Sequence, residues 1–232
     1  MILSYKYPEL MKIINDTALS DASRKLEIYL RKEAMVAFAG DAGKILDVGC
    51  GWGTLSAYLA IKGHEVTGVD SSPGELEHAR RIALRYGASA RFYIGDALKL
   101  DFPDGTFDLV IWEEILEHLV EPVKALREGR RVLKNNGRII LSIPNGQSLR
   151  ARALKILGRE DALFQPDHKQ DFGVLSLKKV VEEAGFRIIS LTSDFLPIPK
   201  LPLGFLLGIR KKFAKRFVTL GHHIIIYGEK IG

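Results

Sequence analysis

The fold of this chain is decided by one stretch, Lys44-Ile45-Leu46-Asp47-Val48-Gly49-Cys50-Gly51-Trp52-Gly53. It begins as a short apolar run, the pattern of a parallel strand covered on both faces, and then breaks into glycines at alternate positions. Leu55, Leu59 and Ala60 follow at helical spacing. The order is strand, glycine loop and helix. Such a loop brings its backbone close to a ligand, because glycine has no side chain to block the approach.

Length and composition predict one domain with a full core. The chain has 232 residues, of which 47% are hydrophobic, and this is enough for a sizeable core. No run approaches the ~18 apolar residues of a membrane span, and residues 1–12 lack the layout of a signal peptide. The single cysteine, Cys50, excludes a disulfide framework within the chain, so we expect a cytoplasmic protein. The formal charge of +6 does not by itself indicate nucleic acid.

Apolar strand patterns alternate with helical patterns along the chain. The predicted strands are 44–48, 65–70, 90–94, 107–112, 138–143, 186–191 and 222–227, and helices are predicted over 73–85, 122–134 and 176–184. This alternation indicates a parallel α/β sheet that binds ligands at the carboxyl ends of its strands. No regular crossover helix is evident between the last two strands, which favours an antiparallel pair there.

Two segments stand outside this alternation. Residues 8–39 have helical patterns, so we predict an N-terminal helical lid at 1–39 and a main domain at 40–232. Within the main domain, 196–220 is a basic excursion in which apolar residues recur every fourth position, at Phe205, Ile209, Phe213 and Phe217. The stripe either lies on an anionic membrane surface or packs back on the substrate mouth. We favour packing, because amphipathic helices are ordinary in globular domains.

Acidic residues stand at the ends of successive strands, at Asp47, Asp70, Asp96 and Glu113. Asp70 follows Gly49 by about 20 residues, the separation at which a carboxylate accepts the hydroxyls of a ribose. A dinucleotide-binding loop has the pattern G-x-G-x-x-G, and its third glycine would stand at Thr54. The loop therefore fits a nucleoside cofactor and disfavours NAD.

Four motifs together resemble the class I S-adenosylmethionine-dependent methyltransferases, namely LDVGCGWG, GVDSSP, GDALKLDFPDGTFDLV and EEILEH. The resemblance implies a Rossmann-like, doubly wound, mostly parallel seven-stranded sheet with an antiparallel last strand and helices on both faces. It also implies S-adenosylmethionine as the cofactor and S-adenosylhomocysteine as its product.

The same resemblance implies the contacts of the cofactor. Gly49 and Gly51 would pack on its methionine end and Asp70 would hold its ribose. The adenine would meet Asp96 and Ala97, and the backbone of Glu113 would lie near the sulfonium. We assign Trp52 and Ser71, which adjoin these positions, to the same pocket, whereas Asp47 either contacts the cofactor or only orders the loop.

The acidic run after the fourth strand is a candidate metal site. Glu114, Glu117 and His118 are spaced at i, i+3 and i+4, which predicts one helical face. Two carboxylates and an imidazole beside the methyl donor could ligate a divalent metal, and a metal lowers the pKa of a bound hydroxyl. With the later run Asp167-His168-Lys169, the pattern resembles ubiquinone-pathway O-methyltransferases and small-RNA 3′-end ribose methyltransferases. The resemblance to the second group implies His168 as the fourth ligand.

Two other interpretations of these residues stay open. Without a metal, His118 and His168 are candidate catalytic groups that accept a proton from the substrate or hydrogen-bond to it. In relatives without a metal, the acids favour a helix N-terminus and the histidine is structural. His222 and His223 open the last strand, and we assign them no role.

The sequence therefore predicts an S-adenosylmethionine-dependent methyltransferase that acts on a small-molecule or lipid-intermediate acceptor. Oxygen is favoured because the N/D-P-P-Y/F run of nucleobase N-methyltransferases is absent after the fourth strand. One alternative is an RNA ribose 2′-O-methyltransferase with a divalent metal; it is disfavoured because the basic residues are not interleaved with aromatics. The other is a non-catalytic cofactor-binding protein, which the complete loop with Asp70 and Asp96 disfavours.

Overall fold

The computed structural model describes residues 5–17, 19–159, 167–195 and 207–232. The strands are β1 (Lys44–Val48), β2 (Glu65–Asp70), β3 (Arg91–Ile94), β4 (Phe107–Glu113), β5 (Leu133–Pro144), β6 (Phe186–Thr192) and β7 (His223–Lys230). The helices are α1 (Pro8–Asn15), α2 (Ala22–Ala39), α3 (Thr54–Ile61), α4 (Pro73–Tyr86), α5 (Pro122–Val132), α6 (Leu149–Ile156), α7 (Val174–Glu183) and α8 (Leu207–Arg216). The first half of the predicted excursion, 196–206, lies outside the described residues.

The seven strands form one sheet in the order β3-β2-β1-β4-β5-β7-β6. β1 pairs in parallel with β2 and β4, whereas β7 runs antiparallel to β5 and β6. The strand order reverses between β1 and β4, and in such sheets a ligand binds in the crevice outside the carboxyl ends of those strands. The fold predicted from the sequence is confirmed, including the antiparallel last strand.

Alternating side chains of the central strands divide the core into two layers. Leu46 and Trp112 pack in the layer that includes α5 and α7, while Ile45 and Ile111 pack in the layer that includes α2 and α3. All four side chains are at most 1% exposed. Because both faces of β1 and β4 are covered, the ends of these strands are held in place for the site above them.

The N-terminal segment, predicted to be helical over 8–39, consists of two helices, α1 and α2. α2 begins after Asp21, whose carboxylate accepts hydrogen bonds from the backbone N–H groups of Ser23 and Arg24, as an N-cap does. α1 packs beside α3 in one apolar cluster that contains Leu10, Ile13, Ile14 and Tyr58. These helices therefore form part of the core. That they also cover the site as a lid stays a prediction.

Two further boundaries differ from the predicted ones. α5 ends at Val132 and β5 begins at once, so residues 135–137, which separate the predicted helix 122–134 from the predicted strand 138–143, lie within the strand. There Asn136 has a φ of 61°, and the register with β4 shifts. Asparagine tolerates this left-handed region better than most residues. α6, which we did not predict, begins after Ser148, whose hydroxyl accepts a hydrogen bond from the N–H of Ala151.

The packing of β2 against β3 leaves no room for a side chain at Gly68. An added Cβ would lie 2.7 Å from Cδ1 of Phe92 and 2.9 Å from Sγ of Cys50. We predict that Gly68→Ala lowers the free energy of unfolding by about 1–3 kcal/mol, as measured by urea denaturation. The control is Gly208→Ala in α8, where no atom lies within 4 Å of the added methyl group. Parental stability of Gly68→Ala would contradict this packing.

Candidate active site

The loop after β1 has a backbone that suits glycine. Gly49, Gly51 and Gly53 have φ values of 69°, 49° and 65°, in the left-handed region that other residues rarely adopt. A Cβ at Gly49 would lie 2.7 Å from Cδ1 of Ile115, and one at Gly53 would lie 2.7 Å from Cβ of Ala79. The loop therefore packs closely against the turn after β4 and against α4.

The carboxylate of Asp70, at the end of β2, organises the same loop. Its Oδ2 accepts a hydrogen bond from the N–H of Gly51 at 2.9 Å, and its Oδ1 accepts one from the N–H of Ser72 at 2.9 Å. A carboxylate oxygen can accept two hydrogen bonds, so Asp70 keeps acceptor positions for the hydroxyls of a ribose. The following predicted cofactor residues are at least partly exposed: Gly49, Gly51, Trp52, Asp70, Ser71, Asp96, Ala97 and Glu113.

Asp47 lies beneath the loop, where it is 2% exposed. Its Oδ2 accepts a hydrogen bond from the hydroxyl of Ser56 in α3 at 2.5 Å. Burial raises the pKa of Asp47 to about 7, and the hydrogen bond from Ser56 opposes that increase. The geometry favours the interpretation that Asp47 orders the loop from below.

Glu113, the last residue of β4, holds helix α2 through two buried ion pairs. Its carboxylate contacts Arg31 Nε at 3.0 Å and also contacts Nζ of Lys32. Burial favours the neutral acid, but the two cations outweigh it and hold the pKa of Glu113 at about 2. The side chain is therefore occupied by α2, which leaves the backbone of Glu113 for the cofactor contact that the resemblance implies.

The acidic run after β4 is not the helix that its spacing predicts. Glu114 has a φ of 53°, its N–H donates to the carbonyl of Ser142 at 2.9 Å, and a single 3-10 turn, Leu116–His118, follows. The predicted common helical face is therefore wrong. The carboxylate of Glu114 accepts a hydrogen bond from Ser142 Oγ at 3.3 Å and lies 3.6 Å from Arg31 and 3.5 Å from His223.

Three of the four predicted metal ligands nevertheless come together. One donor atom from each of Glu117, His118 and His168 lies within 4.8 Å of the others, and Glu114 is outside this group. The backbone joins the two segments, because the N–H of Lys169 donates to the carbonyl of Glu117 at 2.7 Å. His118 Nδ1 also lies 3.3 Å from the carboxylate of Asp167.

The state of Glu117 tests whether this group fits a metal. The residue is 2% exposed, and neither carboxylate oxygen has a hydrogen-bond partner in the part of the chain that the structure describes. Burial, followed by the charge of Glu114, raises its pKa to about 9. Burial and the neighbouring His118 lower the pKa of His168, which keeps this imidazole neutral and able to donate its lone pair. A buried, unpartnered carboxylate beside two imidazoles fits a divalent metal ion.

A cavity of about 1100 Å³ opens beside this group. Its lining is mostly polar and includes Glu114, Glu117, His118, His168, Arg31 and His223. Arg150 and Lys155 of α6 also line it. The glycine loop and Asp70 are not part of the lining. The carboxyl ends of β1, β2 and β4 form the cofactor edge of the sheet. The cavity adjoins this edge at the turn after β4, where Ile115 packs against Gly49 and Glu114 lines the cavity.

The cavity wall contains a buried pair that sequence reasoning missed. Nδ1 of His223, at the start of β7, lies 2.6 Å from Oδ2 of Asp194, just after β6. The two residues are 29 positions apart in the chain and belong to no spacing motif. The sequence indicated only that each of them stands at the end of a strand. Arg31 of α2 is a second residue of the wall that we did not predict.

A family described as "Methyltransferase domain" matches residues 46–141, the segment from β1 to β5. A protein of Oryza sativa subsp. japonica named "Probable tocopherol O-methyltransferase, chloroplastic" is 37% identical over 161 residues, which are 62% of this chain and 44% of that protein. A ubiquinone biosynthesis O-methyltransferase of Pseudomonas paraeruginosa is 37% identical over 138 residues, 58% of this chain and 59% of that enzyme. The chain therefore spans about half the length of these relatives.

Solved structures share the whole architecture. An S-adenosylmethionine-dependent methyltransferase of Thermotoga maritima, described as a possible histamine N-methyltransferase, has a TM-score of 0.70 at 18% identity and aligns over 97% of this chain and 99% of its own. A Pyrococcus horikoshii protein has a TM-score of 0.67 at 22% identity over 92% of this chain and 94% of its own. At these identities the likeness establishes the fold, and it does not establish which atom accepts the methyl group.

The group of Glu117, His118 and His168 predicts a metal affinity that rises with pH. Because the pKa of Glu117 is about 9, a metal must displace its proton at neutral pH. We expect calorimetric affinity for Mn²⁺ or Zn²⁺ to increase from pH 6 to pH 8, and Glu117→Gln to weaken binding by more than about tenfold. Glu121→Gln, at an exposed position, is the control. Equal binding by both variants would contradict the site.

Proposed function

Because residues 46–141 match a family described as "Methyltransferase domain", we propose that this chain transfers a methyl group from S-adenosylmethionine to a hydroxyl oxygen of a small-molecule acceptor. The other product is S-adenosylhomocysteine. The observation that carries the proposal is the loop in which Gly51 hydrogen-bonds to Asp70. Gly49 of this loop packs against Ile115, the neighbour of Glu114 in the wall of the polar cavity.

The cofactor side is supported by charge and shape. A cationic amino acid joined to a neutral nucleoside needs acceptor groups, and it needs no cradle for a pyrophosphate. The acceptor positions left on Asp70, and the partly exposed backbone of Gly49 and Gly51, provide such a surface. This arrangement disfavours a non-catalytic protein, because the open cavity would then have no acceptor to hold.

Oxygen as the acceptor atom is supported by the two curated relatives, whose names describe O-methyltransferases. Methyl transfer from a sulfonium is an in-line displacement, so the protein has to align the acceptor and remove its proton. Glu117, His118 and His168 would hold a divalent metal, which when bound would lower the pKa of a coordinated hydroxyl. The cavity supplies the space in which this chain orients the acceptor and excludes water from the sulfonium.

The cofactor assignment predicts a selective loss of affinity at Asp70. Asp70→Asn replaces one carboxylate oxygen with an amide that cannot accept from the loop. We expect S-adenosylhomocysteine to bind about 10- to 100-fold more weakly, the effect of losing a hydrogen bond to a charged group, in a calorimetric titration. Asp101→Asn, at an exposed position, is the control. Unchanged affinity of Asp70→Asn would contradict the assigned pocket.

The acceptor class is tested with methyl-labelled S-adenosylmethionine and four probes in parallel. Catechol and hydroquinone offer hydroxyl groups, histamine offers an amine, and a short RNA offers ribose hydroxyls. We expect label in the catechol or hydroquinone product. Label in RNA alone would support the ribose methyltransferase alternative, and label in histamine alone would overturn oxygen as the acceptor atom.

The exposed face of helix α8 is relevant to the source of the acceptor. No helix in the described ranges is long and apolar enough to cross a membrane, but α8 presents an apolar stripe to solvent. Ile209, Phe213 and Phe217 are 52%, 50% and 47% exposed, so the expectation that the stripe packs back on the substrate mouth is wrong for these residues. Phe205 lies outside the described residues.

We propose that this stripe lies on an anionic membrane surface. Exposed cations flank it at Lys212, Lys215 and Arg216, and such a helix combines apolar insertion with attraction to anionic lipid headgroups. The opposite face of α8 is buried and contains Leu207 and Ala214, so the helix is held against the protein with its apolar stripe outward. A lipid-soluble acceptor would then be taken from that surface.

The membrane proposal predicts sedimentation of the protein with phosphatidylglycerol vesicles at low salt and not with phosphatidylcholine vesicles. Phe213→Ser removes apolar insertion and Lys212→Glu reverses one charge, and we expect the charge reversal to lower partitioning at least about fivefold. Lys179→Glu on α7 makes the same charge change at an exposed position away from α8. If all three variants partition like the parent, α8 is not the contact surface.

A further inference from the structure

The Asp194–His223 pair is built so that one edge of the imidazole is held by protein and the other faces the cavity. Asp194 has a fully buried side chain, and its carboxylate accepts hydrogen bonds from the backbone N–H groups of Phe195 at 2.8 Å and His223 at 3.1 Å. Its Oδ2 lies 2.6 Å from Nδ1 of the His223 ring. The carboxylate therefore has a defined position before it meets the imidazole.

This contact determines the tautomer of His223. A carboxylate can only accept, so the neutral ring carries its proton on Nδ1 and has its lone pair on Nε2. Nε2 lies 3.3 Å from Nη1 of Arg31 and 3.5 Å from Oε2 of Glu114. These two residues and His223 all line the cavity, so the lone pair is at the cavity wall.

We propose that Nε2 of His223 accepts the proton of the acceptor hydroxyl during methyl transfer, and that Asp194 is the positioning residue that orients the ring. This inference rests on the proposed function and adds to it a base that no sequence motif indicated. The same relation of carboxylate, imidazole and hydroxyl occurs in hydrolases, where the carboxylate orients the ring and stabilises the imidazolium.

The step balances in atoms and charge. The acceptor oxygen forms a bond to the methyl carbon, the bond from that carbon to sulfur breaks, and the sulfur keeps the electron pair as a neutral thioether. The hydroxyl proton moves to Nε2 of His223. The positive charge that leaves the sulfonium thus reappears on the imidazolium, next to the carboxylates of Asp194 and Glu114, and the proton is released to solvent after the product leaves.

The charges around His223 support proton acceptance. Burial opposes the imidazolium, but Asp194 and Glu114 outweigh it and raise the pKa of His223, while Arg31 acts in the opposite direction. The neighbouring ring of His222, centred 4.4 Å away, stays neutral because burial and the charge of His223 lower its pKa to about 3. Glu27 faces His222 from α2 at 4.0 Å. Of these two imidazoles, His223 is therefore the proton acceptor.

Arg31 has a second effect on the base. The guanidinium of Arg31 contacts the lone pair on Nε2 of His223. Arg31 also forms an ion pair with Glu113 at 3.0 Å, so it has a second partner. An acceptor hydroxyl can replace the Arg31 contact without leaving a buried cation unpaired. The hydroxyl would then be placed beside Glu114, at the turn where the cavity adjoins the cofactor edge.

The decisive variant is His223→Asn. The asparagine amide reaches the position of Nδ1, so it can keep the hydrogen bond to Asp194, but it has no atom at the position of Nε2. A purely structural pair predicts normal turnover, whereas a base predicts a loss of about 10²- to 10⁴-fold in kcat for catechol methylation. We expect unchanged affinity for S-adenosylhomocysteine and a rate that rises with pH beyond the parental plateau. His64→Asn, at the opposite edge of the sheet beside Ala42, is the control.

A second readout does not depend on methyl transfer. 4-Nitrocatechol changes its absorption when it ionises, so a base at the cavity wall should ionise the bound probe at a pH where the free probe is neutral. We expect this shift in the parent and in His64→Asn, with chelator present to exclude a metal effect, and its loss in His223→Asn.

The two readouts separate the inference from the proposed function. Turnover of catechol with parental kcat and pH profile in His223→Asn would overturn the base and leave the methyltransferase in place. The bound 4-nitrocatechol could show the absorption change of ionisation, dependent on His223, while no hydroxyl probe is methylated. This result would overturn oxygen methylation and support His223 as a proton acceptor at the cavity wall. No shift in the parent at saturating probe would also overturn the base.

Discussion

The buried carboxylate of Glu113 is the charge on which the arrangement of this site depends. It ends the central strand β4 and is paired with Arg31 and Lys32 of α2. A buried charge without a partner destabilises the folded state, and removing one partner of a buried ion pair typically lowers the stability by about 3–5 kcal/mol. The end of β4 and helix α2 are therefore held to one another by these ion pairs.

Arg31 extends this constraint from the cofactor edge to the cavity. The same guanidinium reaches Glu113, Glu114 and His223. It lies outside the segment 46–141 that matches the methyltransferase domain family. His168, Asp194 and His223 lie outside it as well. The matched segment supplies the glycine loop and the strand ends, whereas the flanking segments supply most of the polar wall at which an acceptor would be oriented.

Burial and ion pairing give the carboxyl groups near the ends of β1 and β4 very different pKa values. Glu113 is paired with two cations and has a pKa near 2. Glu117 is buried without a partner among the described residues, and its pKa is near 9. Asp47, beneath the loop, lies between them at about 7. Environments that separate the pKa values of neighbouring acids are how one site supports both charged and neutral carboxyl groups. Neither residue type nor spacing distinguishes these cases.

The sequence by itself determined the strands 44–48 and 65–70, the glycine loop and the position of Asp70, because apolar runs, glycines and strand-end acids are local signals. The break between α1 and α2 and the non-helical turn at Glu114 needed the tertiary structure, since capping and the hydrogen bond from Glu114 to β5 override the local helical spacing. The structure alone also decided which polar side chains meet. Asp194 and His223, or Glu117 and His168, are distant in the chain, and only the packing of the strand ends brings them within reach.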